Sequence, residues 1–77
     1  MLLIQPLMIR LSPGVGHVFS SDEPLQWEFR NRGPGRALIE QTVLSPGESA
    51  TFSGSEPITM ISWDDRDTDV DVQPAFS

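Results

Sequence analysis

Three groups of residues have types suited to chemistry: the lone histidine His17, the acidic run from Asp64 to Asp71, and the arginines Arg30, Arg32 and Arg36 around Gly33-Pro34-Gly35. Nucleophilic catalysis needs a nucleophile, a base and a group that orients the base. Serines and carboxylates are plentiful, but no G-x-S-x-G elbow occurs, and His17 alternates with Val15 and Phe19 as an ordinary strand residue does. The chain therefore reads as non-enzymatic, with His17 structural or exposed.

The run Asp64-Asp65-Arg66-Asp67-Thr68-Asp69-Val70-Asp71 is the best place for a hard cation, which needs several oxygens converging on one point. The EF-hand pattern fails for want of its central glycine and distal glutamate. In an extended chain Asp67, Asp69 and Asp71 point to one side about 7 Å apart, too far for one ion to bind all three. The simpler reading is a solvent-facing edge strand whose charges block aggregation, and neither metal nor cofactor is expected. Arginines at a loop tip suit bidentate contact with carboxylates or phosphates, which makes Arg32 and Arg36 candidate docking residues. The economical alternative pairs them with the acidic run. Trp27 and Trp63 would suit a carbohydrate platform if exposed; Trp27 falls on a core face, and Trp63 is the freer of the two.

The elements that must position these groups are strands. Six glycines and seven prolines punctuate the chain at intervals of no more than eleven residues from Pro6 to Pro57, and the longer gap at 58–73 holds the acidic run and the alternating Val70 and Val72 rather than an amphipathic helix. This predicts an all-β antiparallel sandwich or barrel, one domain over 1–77, with about seven strands near 2–11, 15–20, 25–30, 36–44, 48–53, 58–63 and 69–73. In 25–30, Leu25, Trp27 and Phe29 alternate with Gln26, Glu28 and Arg30, the mark of a central core strand. In 69–73, Val70 and Val72 alternate with Asp69, Asp71 and Gln73.

Residues 11–33 align without gaps on residues 44–66, with Leu11, Ser12, Pro13, Gly14, Phe19, Ser20, Glu23 and Pro24 recurring as Leu44, Ser45, Pro46, Gly47, Phe52, Ser53, Glu56 and Pro57. Ser-Pro-Gly encodes a type II turn, with Pro fixing φ at its second position and Gly supplying φ > 0 at its third. What repeats is turn chemistry and a core Phe, so the repeat predicts pseudo-twofold folding rather than two ligand sites.

So short a chain has a small core, and it has no cysteine to staple it. Association with its own copies or with a larger surface becomes the expected source of extra stability. The net charge of −6, with five arginines and no lysine, disfavours nucleic-acid binding. The apolar start Met1 to Ile4 has no basic flank and is broken by Gln5 and Pro6, so neither a leader nor a membrane span is expected. In LLIQPLMIRL both faces are apolar, with Leu3, Leu7, Ile9 and Leu11 on one and Leu2, Ile4 and Met8 on the other, so this strand is expected either sandwiched in the core or with one face buried against another chain.

From Leu25 to Val72 the order LQWEFRNRG, ALIEQTVL, SPGESATFSG, ITMISW, VDV resembles small β-sandwich structural proteins of tailed bacteriophage virions, including capsid decoration proteins and tail or fibre modules. The resemblance implies a non-catalytic protein of the virion that docks in many copies on a capsid or another virion protein and forms a homo-oligomer, a trimer being one arrangement. The expected contact residues are Leu2, Ile4, Met8, Arg32, Arg36 and Trp63. The competing reading is a carbohydrate- or protein-recognition module using Trp63 and the loops at 31–36 and 64–69.

Overall fold

The computed structural model describes residues 7–20, 26–53 and 56–75. They form eight strands: β1 (Leu7–Leu11), β2 (His17–Phe19), β3 (Gln26–Pro34), β4 (Ala37–Ile39), β5 (Thr42–Leu44), β6 (Ser49–Ser53), β7 (Ile58–Ser62) and β8 (Thr68–Pro74). Two four-stranded antiparallel sheets result, sheet A in the order β1-β8-β3-β6 and sheet B in the order β2-β7-β4-β5. The all-β sandwich expected from the turn rhythm is therefore present, with the strand order of an eight-stranded jelly roll.

The internal repeat accounts for this topology. Moving each strand of the first half onto its counterpart four places later, and the second half back onto the first, turns β1-β8-β3-β6 into β5-β4-β7-β2, which is sheet B read backwards. The two repeats thus exchange sheets. Both Ser-Pro-Gly turns close as their chemistry requires: Val15 N–H donates to Ser12 O (3.1 Å) and Glu48 N–H to Ser45 O (2.9 Å). Gly14 and Gly47 take φ of 77° and 90°, where a Cβ would be strained.

Alternation sets the faces. Leu11, Phe29, Val70 and Val72 from sheet A meet Ala37, Ile39, Leu44, Ile58 and Met60 from sheet B in one core. The repeat's phenylalanines pack at its margin, where Phe19 stands edge-on to Trp27 (5.0 Å between centroids) and Phe29 (5.6 Å), and Phe52 edge-on to Phe29 (5.4 Å).

Three expectations require correction. The segment 36–44 is two strands, because the chain reverses at Glu40-Gln41 with Glu40 at φ 55°. No glycine or asparagine announces that turn. Glu40 is held by its N–H donating to Thr59 O (2.8 Å) and by its carboxylate accepting from Thr59 Oγ1 (3.2 Å). Second, Arg30 and Arg32 do not sit at a loop tip. The strand that was expected to end at residue 30 continues through them, bulges between Asn31 and Gly33 against β8, and reaches a cis Gly33–Pro34 peptide. Third, the acidic strand is no edge; β8 lies inside sheet A between β1 and β3.

Asn31 explains why β3 continues. It is fully buried, and its amide donates to Gly35 O (2.8 Å) and Leu44 O (2.8 Å) while Oδ1 accepts from Gly33 N–H (3.0 Å) and from the Thr68 hydroxyl. That hydroxyl also reaches Gly35 O (2.9 Å) and shares its one proton between the two acceptors. The Asn31 backbone meanwhile accepts from Gly47 N–H (2.7 Å) and donates to Glu48 O (2.9 Å). One side chain therefore ties β3, β8, the approach to β4 and the end of β5 together. Asn31→Ala leaves several buried polar groups unpaired and is expected to destabilise by about 3 kcal/mol, a large share of what so small a domain has. Thr68→Val, which leaves Oδ1 its backbone partner, should cost about 1 kcal/mol. Urea unfolding of both variants beside the native chain checks the order.

Candidate interaction surface

The outer faces of the two sheets have opposite chemistry. On sheet A the outward positions of the interior strand β8 are Asp69, Asp71 and Gln73, and each is paired across a neighbouring strand. Arg10 of β1 forks onto Asp69 (Nε to Oδ1 2.9 Å, Nη2 to Oδ2 3.4 Å), Arg32 of β3 reaches Asp71 Oδ2 (2.6 Å), and Gln73 donates to Glu28 Oε1 (2.9 Å). The economical reading of the arginines and the acidic run thus describes Arg32 and Asp71. Among the described residues no group of three or more His, Asp or Glu is placed to hold a metal ion.

The fork from Arg10 holds the Asp69 carboxyl below its usual 3.8, chiefly through the hydrogen bond and against a smaller desolvation, and raises the guanidinium's own pKa in return. A carboxyl lowered in the folded state contributes stability above its unfolded pKa and loses it as pH falls through the folded value.

Sheet B turns a different face to solvent. In the β4–β7 register Leu38 lies beside Ile61; the same register runs on through Trp63 N–H to Arg36 O (2.9 Å) at one end and Glu40 N–H to Thr59 O at the other. Outside this pair, Val43 of β5 flanks Leu38, and Val18 of β2 flanks Thr59. Three rows result across the outer face: Val18, Thr59 and Glu40; then Gly16, Ile61, Leu38 and Val43; then Trp63 and Arg36. Val18 is 65% exposed and Trp63 52%. Because Gly16 has no side chain and nothing lies within 4 Å of where its Cβ would stand, the face is hollow there. The hollow is a groove of about 340 Å³ lined by Gly16, Val18, Thr59, Ile61, Leu38 and Glu40, with His17 and Met60 beneath.

Arg36 anchors the far end. Its backbone N–H donates to Asp64 Oδ2 (3.3 Å) and its Nε lies 3.6 Å from the same oxygen. Gly35 must be glycine for this approach, since a Cβ there would meet Asp64 Oδ1 at 2.8 Å.

The residues singled out by sequence are therefore divided. Arg36 and Trp63 share the outer face of sheet B. Arg32 lies on sheet A, ion-paired. Met8, also on sheet A, is 56% exposed on β1, next to Leu7 at 51%. Along Leu7–Leu11 the first strand pairs with β8 of its own chain. Leu2 and Ile4 lie outside the described residues, as does Leu25. Sequence reasoning passed over Val18, Leu38, Val43 and Ile61, although the needed signal was present: Leu38-Ile39, Val43-Leu44, Met60-Ile61 and Val18-Phe19 put apolar side chains on both faces of a strand, the criterion that singled out residues 2–9.

Compared with family models, curated proteins and solved structures, the chain matches none.

Removing the low-pKa carboxyl should flatten the acid limb of the stability curve. Between about pH 5 and pH 3 the native chain is expected to lose more unfolding free energy than Asp69→Asn does, with Asp69→Asn the less stable at neutral pH. Chemical denaturation across that range is the measurement.

Proposed function

We propose that this chain is a non-catalytic structural protein that works by association, with its own copies and with a larger assembly of the virion kind that its strand rhythm resembles. One observation carries the reading. A sandwich this small has one sheet face closed by ion pairs and another left apolar, with Val18, Leu38, Val43, Ile61 and Trp63 on its surface. Large outward apolar residues gathered on one face mark an interaction site. The apolar pair Leu7 and Met8 at the start of β1 offers a second contact, continuous in sequence with Leu2 and Ile4 and suited to docking on a capsid or other virion protein. The jelly-roll order agrees by analogy, because virus shells use it, as lectins and cupins do.

The recognition-module reading places a sugar on Trp63. A sugar platform needs hydrogen-bonding groups around the ring; among the described residues beside Trp63 on this face Arg36 is the one such side chain, and its Nε is turned to Asp64 (3.6 Å), while Ile61 and Leu38 are apolar and the polar pair Thr59–Glu40 stands four residues away along the strands, about 13 Å. Association is the better-supported use of the face.

Light scattering over a concentration series up to about 1 mM, where contacts worth about 4 kcal/mol become visible, is the test. The mass is expected to rise from that of the monomer to a defined oligomer. A monomer throughout would overturn self-association and bring the recognition module forward.

A further inference from the structure

We propose that the outer face of sheet B is a self-complementary interface that pairs with the same face of a second copy about a twofold axis; this rests on the association reading above and names its surface and its partner.

The argument is the layout of the three rows. A twofold lying in the contact plane along the middle row sets each residue of the first row against the third row of the partner and each residue of the middle row against its own equivalent, the isologous arrangement of closed dimers. Arg36 and Glu40 flank β4 immediately before Ala37 and after Ile39, and their backbone bonds to Trp63 and Thr59 set them on opposite sides of Leu38. The operation brings Arg36 of one copy opposite Glu40 of the other, twice. It also carries Trp63 from the third row towards Thr59 in the partner's first row, which is a wall of the groove. At about 340 Å³ that groove has room for an indole. Leu38, Ile61 and Val43 then meet their own counterparts on the axis. A protruding aromatic with a matching hollow and a cation with a matching anion, all related by one operation, is what self-recognition requires.

Charge favours this occupant over a polyanion or a strongly basic partner. The chain carries −6 overall, yet on these three rows the charged members are Arg36 and Glu40, with Asp64 beside Arg36 at the rim, so the operation sets a cation against an anion where two acidic copies meet. The Arg36–Asp64 contact does not compete strongly, since it is made at 3.6 Å by an exposed side chain. Four strands by three rows amount to roughly 350 Å² per copy at ordinary strand spacing, under half the usual share of a stable interface. The isolated dimer is accordingly weak, with a Kd of roughly 100 μM, and would be reinforced where a larger assembly holds copies together.

The test is a charge exchange read by sedimentation equilibrium on the full chain, with far-UV circular dichroism and thermal melts to confirm folding. Arg36→Glu and Glu40→Arg each set like charges against one another twice and should raise Kd about tenfold; the double variant Arg36→Glu/Glu40→Arg re-forms the pairs in reverse and should return to within about threefold of the native value. A second measurement is independent of charge. Because the chain has no cysteine, Leu38→Cys with a short bis-maleimide should give a covalent dimer, and Thr51→Cys on the outer face of sheet A should not. Association that ignores the charge exchange, together with equal cross-linking at positions 38 and 51, overturns this interface and leaves the association reading standing. A native chain that stays monomeric throughout overturns both.

Discussion

The hydrogen-bond set of Asn31 is the constraint on which the rest of the sandwich depends. Two sheets can slide past one another on apolar contacts alone, because hydrophobic attraction has no direction. A buried amide does have direction: its two N–H groups reach Gly35 O and Leu44 O, and its oxygen takes Gly33 N–H and the Thr68 hydroxyl. Leu44 closes sheet B while Asn31 and Thr68 belong to sheet A, so the set fixes how the layers register. It also accounts for the bulge at Asn31–Gly33 and the departure of the chain towards β4, and thus for the position of Arg36 at the end of the sheet B face.

From that registration follows the division of the surface. The internal repeat places equivalent strands in opposite sheets, yet the outward residues of the two halves have diverged. On β8 they are Asp69, Asp71 and Gln73; at the equivalent positions of the first half they are Leu38 on β4 and Arg36 and Glu40 flanking it. One fold is thus built twice and finished in two ways, one sheet sealed by cross-strand ion pairs and the other left apolar with a charge at each end. Symmetry explains the architecture, and the broken symmetry of the outward residues supports the functional reading.

Much of this was legible in the chain. The all-β class, the two type II turns, the inward Trp27, Phe29, Val70 and Val72, and the pseudo-twofold repeat rest on local rules: the φ preferences of Pro and Gly, and the period of two in a strand. The failures share a physical cause. Nothing local marks the reversal at Glu40-Gln41, since the left-handed Glu40 is held by Thr59, nineteen residues away in sequence. Gly33-Pro34-Gly35 resembled a loop tip because the amide that draws Asn31 into the core finds its partners at Leu44 and Thr68. The acidic run resembled an edge because the two arginines that neutralise Asp69 and Asp71 come from strands that only the fold brings alongside.

By itself the sequence determined the kind of structure: alternating strands, tight turns and a small, acidic, duplicated unit. Tertiary structure decided which strands became neighbours, and therefore which charges were paired and which apolar residues stayed exposed. The physical reason is range. Backbone preference and side-chain alternation act over two to four residues, whereas pairing in a jelly roll joins Leu7 to Val72 and Gln26 to Ser53. The face that combines Val18, Leu38, Ile61, Trp63, Arg36 and Glu40 exists only once those long-range pairings are made.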